Sequence, residues 1–251
     1  ADFMDRFQGK CVFLTGASTG IGRATSKRLA SEGASLYLVD VNQEELEKTV
    51  KECSEHNTKV QYAICDVSNE KDVSDAIHGM VYEFGGINTV INVAGIQIWQ
   101  HSHKHSLEDF ERTLAVNLTG TFLVCRESLP HLLKEGGSII NTSSTTALAG
   151  IPYSAAYAAS KAGVLALTKS LAVEYGKQGL QVNCINPGGI KTAMSKMPPI
   201  EEPNMDLLLR QSPLANFADP ESVAGLIAYL ASSEARHING ESIRIDGGAL
   251  A

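Results

Sequence analysis

Tyr157 and Lys161 stand four positions apart in Tyr157-Ala158-Ala159-Ser160-Lys161, inside a run of small residues, 154–166, that predicts the start of a long helix. Residues four apart share a helix face, so the lysine ammonium is expected alongside the tyrosine phenol. A tyrosine of pKa ~10 becomes a proton carrier near neutrality only if its phenolate is favoured by about three units, or ~4 kcal/mol. One cation at ~4 Å supplies about that at an effective dielectric of ~20 but only ~1 kcal/mol in bulk water, so the pair needs a closed, partly dry site. By itself such a pair is most often a solvated helix face, and company elsewhere has to overturn that reading. Ser144 is the first such company: it ends the apolar run Gly137-Ser138-Ile139-Ile140-Asn141-Thr142-Ser143-Ser144, at the C-terminal end of a predicted strand, where α/β sheets meet their ligands. Acid–base work on an oxygen-bearing substrate is the chemistry these types can do.

Groups so far apart in the chain need a scaffold that delivers them to one place. The residues 11–15 form an apolar run leading into glycines, and helical periodicity follows over 21–32. Further strands are predicted at 35–40, 60–64, 88–92, 138–142, 180–185 and 241–245, with helices at 43–55, 70–84, 107–133, from 154 onward, and at 220–231. This alternation predicts an α/β fold, parallel strands joined by crossover helices, in a single domain over 1–251. Within the first βα turn, Gly16, Gly20 and Gly22 read G-x-x-x-G-x-G, and residues without Cβ let a backbone approach a pyrophosphate with the free N–H groups of a helix start aimed at it. Asp40 ends the second strand about 20 residues on, where a carboxylate accepts from an adenosine ribose. Helix capping is the duller role for it, one that Val41-Asn42 could also fill.

Together, the glycine run Thr15-Gly16-Ala17-Ser18-Thr19-Gly20-Ile21-Gly22, Ser144, Tyr157-x-x-x-Lys161 and the upstream Asn117 resemble the short-chain dehydrogenase/reductase family over nearly the whole chain. The resemblance implies a doubly wound Rossmann-type parallel sheet of about seven strands and an oxidoreductase that moves hydride between NAD and a secondary alcohol or ketone. It implies that Gly16, Ser18, Thr19, Gly20, Ile21 and Gly22 hold the cofactor phosphates, that Asp66 meets the adenine edge with Val67 against the ring, and that Asn92, Ala94 and Gly95 line the cofactor. Here the family's usual Asn-Asn-Ala-Gly becomes Asn92-Val93-Ala94-Gly95. Pro187, Gly188, Ile190 and Thr192 would support the nicotinamide, Lys161 its ribose, and the backbone of Asn117 a water beside Lys161. Tyr157 would be the acid–base group and Ser144 would orient the substrate oxygen.

Composition bounds the alternatives. A net charge of −7 without a basic stripe argues against nucleic acid and anionic membrane as partners. Cys11, Cys53, Cys65, Cys125 and Cys184 show no C-x-x-C spacing and read as reduced thiols of a cytoplasmic protein. No secretory leader or membrane span is expected. His101, His103 and His105 alternate in a polar loop without an acidic or thiol partner, and no metal site is expected there.

The segment 190–216 has the length and the prolines of an irregular lid, and its methionines, with Met194 and Met197 foremost, suit an adaptable apolar surface. Ile96, Ile98 and Trp99 after the fourth strand, and Leu148 and Tyr153 between Ser144 and Tyr157, would form the facing wall. A mainly apolar, uncharged small-molecule alcohol or ketone follows, since the segment holds no arginine before Arg210 to pair with an anionic group. Two rival readings are a 3-oxoacyl-thioester reductase of the same family and a dinucleotide-sensing protein without catalysis. The apolar surplus of 107–133 and 164–175 predicts a homotetramer.

Overall fold

In Cys11–Thr15 (β1), Val12 and Leu14 face one side of the sheet and Phe13 the other, and both sides are buried. Apolar side chains on both faces are what a parallel sheet covered by two helix layers requires. The computed structural model describes residues 5–134, 136–196 and 200–251, so Met197, with Pro198 and Pro199, lies outside the described residues. Around β1 run Ser35–Asp40 (β2), Val60–Ile64 (β3), Thr89–Asn92 (β4), Gly137–Thr142 (β5), Leu180–Pro187 (β6) and Ser242–Ile245 (β7). All pair in parallel, in the order β3-β2-β1-β4-β5-β6-β7. The order reverses between β1 and β4, which opens a crevice at their carboxyl ends. Thr15 fastens that switch point: its hydroxyl accepts from the amides of Val93 and Ala94, each at 3.2 Å.

One layer holds Gly20–Ser31 (α1), Gln43–Ser54 (α2) and, late in the chain, a helix at Pro220–Ala231; their core includes Leu29, Leu46, Val223 and Ile227 with Val12, Leu14 and Ile185. Val93, the departure from the family pattern, packs half-buried against this core. Glu70–Phe84 (α3) covers the other face. Its Asn69 cap accepts from Lys71 N at 2.9 Å, its buried stripe is Val73, Ala76, Ile77 and Met80, and Gly85 stops it at φ 80°.

The predicted helix 107–133 is interrupted. Leu107–Leu114 (α4) passes into one wide π turn, Ala115–Thr119, before Gly120–Leu132 (α5). The extra residue centres on Asn117, whose carboxamide leaves the helix to bind the backbone of Ile96 in both directions, accepting from its N–H at 2.8 Å and donating to its carbonyl at 2.9 Å. Ala155–Tyr175 (α6) follows, burying Tyr157, Ser160, Lys161, Val164 and Thr168 on one side. Among the described residues of 190–216 the chain has one 3-10 turn, Ala193–Ser195, and the short helix Met205–Leu209 (α7); Pro220–Ala231 is α8. This segment is pinned at its base, where Ile190 bridges Ala218 and Lys191 N donates to the Ala218 carbonyl at 2.9 Å.

Candidate active site

One cavity of about 660 Å³ lies at the carboxyl ends of β1, β4 and β5 and is lined by residues from the glycine turn, from the ends of β2 to β6 and from Tyr157 and Lys161 on α6. At one end Gly16, at φ +68°, sits so close to β4 that a Cβ would meet Ala94 N at 2.6 Å. Gly22 is packed beneath, where a Cβ would fall 1.8 Å from the Gly16 carbonyl, so it shapes the turn without lining the cavity. The Thr19 cap of α1 uses no side-chain bond, leaving the first amides of the helix for an anion. Ser18, Thr19, Gly20 and Ile21 line this end.

Asp40 is held by two amides, Oδ2 accepting from Ser18 N at 3.1 Å and Oδ1 from Asn42 N at 3.0 Å. The capping role it could have had belongs to Asn42, which accepts from Glu45 N. Asp66 and Val67 follow β3 on the same wall, Asp66 Oδ1 being bound by the Ser68 amide at 2.9 Å and hydroxyl at 2.7 Å. Ala94 and Gly95 face the cavity, but Asn92 turns inward, its Nδ2 donating to Asn141 Oδ1 at 2.9 Å, and Asn141 donates on to Thr168 at 2.9 Å. Pro187, Gly188 and Ile190 close the floor; Thr192 lies over the glycine turn, its Cγ2 at 3.1 Å from where a Cβ of Gly20 would be.

At the other end Ser144, Tyr157 and Lys161 converge, all buried and all lining the cavity. The Lys161 Nζ lies 5.6 Å from the Tyr157 ring centroid and donates to the Thr142 carbonyl at 2.8 Å. Here the sequence expectation needs a correction. Burial pushes the Tyr157 phenol up to about 12, with the Ser144 hydroxyl acting the other way, and burial pulls the Lys161 ammonium down to about 8. The pair is dry, as required, but the same dryness disfavours both ions, and with its ammonium over the ring and bonded to a carbonyl the lysine does not overcome it. Asn117 is wholly buried behind this group; its Nδ2 also donates to Ser160 Oγ at 3.0 Å, and its carbonyl accepts from the Thr121 hydroxyl at 2.8 Å.

The substrate wall is less as expected. Ile96, Trp99 and Met194 line the cavity, whereas Ile98, Leu148 and Tyr153 do not. Leu148 is 44% exposed. Tyr153, at φ 64°, stacks edge-on against His101 with centroids 4.8 Å apart and accepts from Asn204 N at 2.7 Å. His101 in turn bonds the Glu201 carbonyl at 2.7 Å, and Lys104 pairs with the Glu201 carboxylate, so this loop braces the 190–216 segment. Residues the motifs did not point to also line the wall, Gln97, Arg112, Thr146, Leu208 and Gln211 among them. Thr146 lies two places after Ser144, which was a usable signal; Gln211 carried none.

A family model described as enoyl-(acyl carrier protein) reductase matches residues 16–249. The 3-oxoacyl-[acyl-carrier-protein] reductase FabG of Thermotoga maritima is 36% identical over 246 residues, 98% of this chain and 99% of that protein. The D-threitol dehydrogenase of Mycolicibacterium smegmatis is 36% identical over 248 residues, 98% of this chain and 95% of that one. Among solved structures, a short chain dehydrogenase from Mycobacterium paratuberculosis bound to NAD superposes with a TM-score of 0.93 at 28% identity, covering 97% of this chain and 98% of the other. An unbroken match from the glycine turn to the end of the sheet, on a fold whose switch point carries the same residues, places this chain in the short-chain dehydrogenase/reductase family, an oxidoreductase acting on alcohol and ketone groups.

Proposed function

We propose that this enzyme transfers hydride reversibly between NAD and a mainly apolar, uncharged secondary alcohol or its ketone. The observation that carries the reading is the single cavity shared by the Asp40 and α1 end and the Ser144, Tyr157 and Lys161 end. The uncapped helix start would take the pyrophosphate, Asp40 the adenosine ribose, Asp66 and Val67 the adenine, and Pro187, Gly188, Ile190 and Thr192 the nicotinamide. Held there, the oxidised nicotinamide would supply the hydride acceptor and a positive charge in a cavity whose burial disfavours the Tyr157 phenolate.

The chain's own residues do the rest. Ser144 holds the substrate oxygen by donating to it. The Tyr157 oxygen takes the hydroxyl proton in oxidation and returns it in reduction. Lys161, anchored on the Thr142 carbonyl, steadies the phenolate as it forms and would reach the ribose. The Asn117 carbonyl, at the widened turn, would hold a water leading outward. The segment 190–216 acts as the lid, with Met194, Met205, Leu208 and Leu209 as its apolar lining. A panel of alcohols and ketones followed by absorbance of the reduced nicotinamide, with NAD and with its 2′-phosphorylated form, tests the reading; turnover of no alcohol would refute it.

The similarity to a carrier-protein reductase favours one second reading, reduction of a 3-oxoacyl thioester, and the same panel with an acetoacetyl thioester and the phosphorylated cofactor separates the two. A dinucleotide sensor would not need Ser144, Tyr157, Lys161 and Asn117 all intact. We infer a cytoplasmic setting from five free cysteines, with the thiols of Cys53, Cys65 and Cys125 pushed by burial to about 12. The homotetramer reading is supported by Leu107 on α4, Phe122 on α5 and Val173 on α6, apolar yet exposed in the single chain. Light scattering that gives a monomer mass at micromolar concentration would remove it.

A further inference from the structure

Arg112 lines the cavity from α4, exposed, and no carboxylate among the described residues claims it. Arg6, Arg23, Arg28, Arg126 and Arg244 each pair with an acid. Its own helix offers Arg112 such a partner: Glu108 stands one turn before it, in the order that favours an ion pair on a helix, and the pair is not made. The position of α4 says what this free guanidinium faces. As a crossover helix leaving the carboxyl end of β4, it has its first turns at the mouth of the crevice and its later turns deeper. The row Arg112, Val116, Gly120 marks the descent. A Cβ on Gly120 would fall 2.7 Å from Val67 Cγ2, Val116 packs against the core that holds Val67 and also lines the cavity, and Arg112 stands one turn nearer the mouth. The glycine turn and α1 belong to the other helix layer, so Arg112 looks at them across the switch point.

Charge balance gives the second reason. Among the described residues the cavity lining carries four charged side chains, Asp40, Asp66, Arg112 and Lys161. Lys161 serves the Tyr157 end, with its Nζ on the Thr142 carbonyl. The adenosine end is left with two carboxylates and one cation, where a dinucleotide would bring two phosphate charges and the amides of α1 offer only the partial charge of a helix start.

We propose that Arg112 completes the pyrophosphate site, its guanidinium binding the cofactor's phosphate oxygens from the α4 wall while the first amides of α1 bind them from the other. The inference rests on the NAD reading above and adds a binding residue to it. A guanidinium suits the task because its planar fork gives two parallel donors to two phosphate oxygens and keeps its charge at every working pH.

The test measures binding, without turnover. NADH is titrated by its fluorescence into the ligand-free enzyme, and ADP-ribose, adenosine and NADPH are read by their displacement of it. Arg112→Met keeps the length and helix preference of the side chain and should weaken NADH and ADP-ribose by ~10-fold or more, as loss of a charged hydrogen bond requires, with adenosine within about twofold of wild type. Arg112→Lys, which keeps the charge but not the fork, should fall between the two. The NADH dissociation constant should also rise less steeply with added NaCl in Arg112→Met than in the wild type, a difference that a packing role for the side chain would not produce. NADH affinity within about twofold of wild type in Arg112→Met would overturn the proposal. So would an equal loss for adenosine, which would put the arginine on the base or in the fold, and so would a loss confined to NADPH, which would put it on a 2′-phosphate. If the wild type binds neither NADH nor ADP-ribose, the NAD reading itself falls, and the proposal with it.

Discussion

Replacing Asp40 by asparagine should move the enzyme's cofactor preference. In the structure the carboxylate cannot swing away, because Ser18 N and Asn42 N hold its two oxygens at 3.1 and 3.0 Å. A 2′-phosphate on the adenosine ribose would bring its charge to ~5 Å, where each unit of like charge costs about 3 kcal/mol at an effective dielectric of ~20. Partial exposure trims this and the second phosphate charge adds to it, so discrimination of ~100-fold in kcat/KM is expected. Arg23 on α1 offers no relief, since it gives Nη2 to Glu45 Oε2 at 2.7 Å and Nε to Thr49 at 2.9 Å. Val41, next after the aspartate, is apolar and exposed. Asp40→Asn removes the charge but keeps one acceptor oxygen, so the preference for NAD should fall to within about tenfold, mostly through KM for the phosphorylated cofactor. One of the two amides then loses its partner, at ~1–3 kcal/mol, so thermal stability is measured alongside. Equal efficiency of the wild type with both cofactors, or an unchanged ratio in a folded Asp40→Asn, would refute the reasoning.

Tyr157→Phe should lower kcat by ~100-fold or more while NADH affinity, read by fluorescence titration, stays within about threefold of wild type; more than about a tenth of the activity surviving would sink the acid–base assignment. Lys161 links stability to pH. Its pKa is about 8 folded, against the ordinary 10.5, so between those values the unfolded chain binds more protons and stability rises with pH. From pH 7.5 to 9.5 the unfolding free energy of the ligand-free enzyme should gain about 2 kcal/mol relative to Lys161→Met in urea titrations. Tyr157, raised to about 12, works oppositely and only above pH 10. A constant difference between the two proteins would contradict the burial argument. Gly22→Ala puts a Cβ 1.8 Å from the Gly16 carbonyl, a backbone atom that cannot rotate aside. The rise in Tm that NAD gives the wild type should vanish in it, and an intact rise would show the turn to be softer than it looks.

What could be read from the residues alone divides along a physical line. Features set by neighbours in sequence were legible: α3 begins at an asparagine cap, carries its stripe at 73, 76, 77 and 80, and stops at a left-handed glycine, all local chemistry. So was the register of Tyr157 and Lys161, which the helix period dictates. Features set by the fold were not. The sign of the tyrosine shift depends on how completely the site is dried, and the four-residue spacing contains only the cation's half of that balance. The break at Ala115–Thr119 exists because Asn117 is needed by the Ile96 backbone, 21 positions away in the chain, and nothing in 107–133 itself asks for it. On the substrate wall, sequence located the right loops but not the direction of their side chains. Tyr153 turns from the cavity because its backbone takes the left-handed region and its ring is claimed by His101 and Asn204, and Gln211 turns toward it because two carbonyls of the facing loop hold its amide. Chemistry shared by a family rests on helix period and strand ends and is therefore readable in one chain, whereas specificity rests on contacts between loops far apart in sequence and has to be read from the fold.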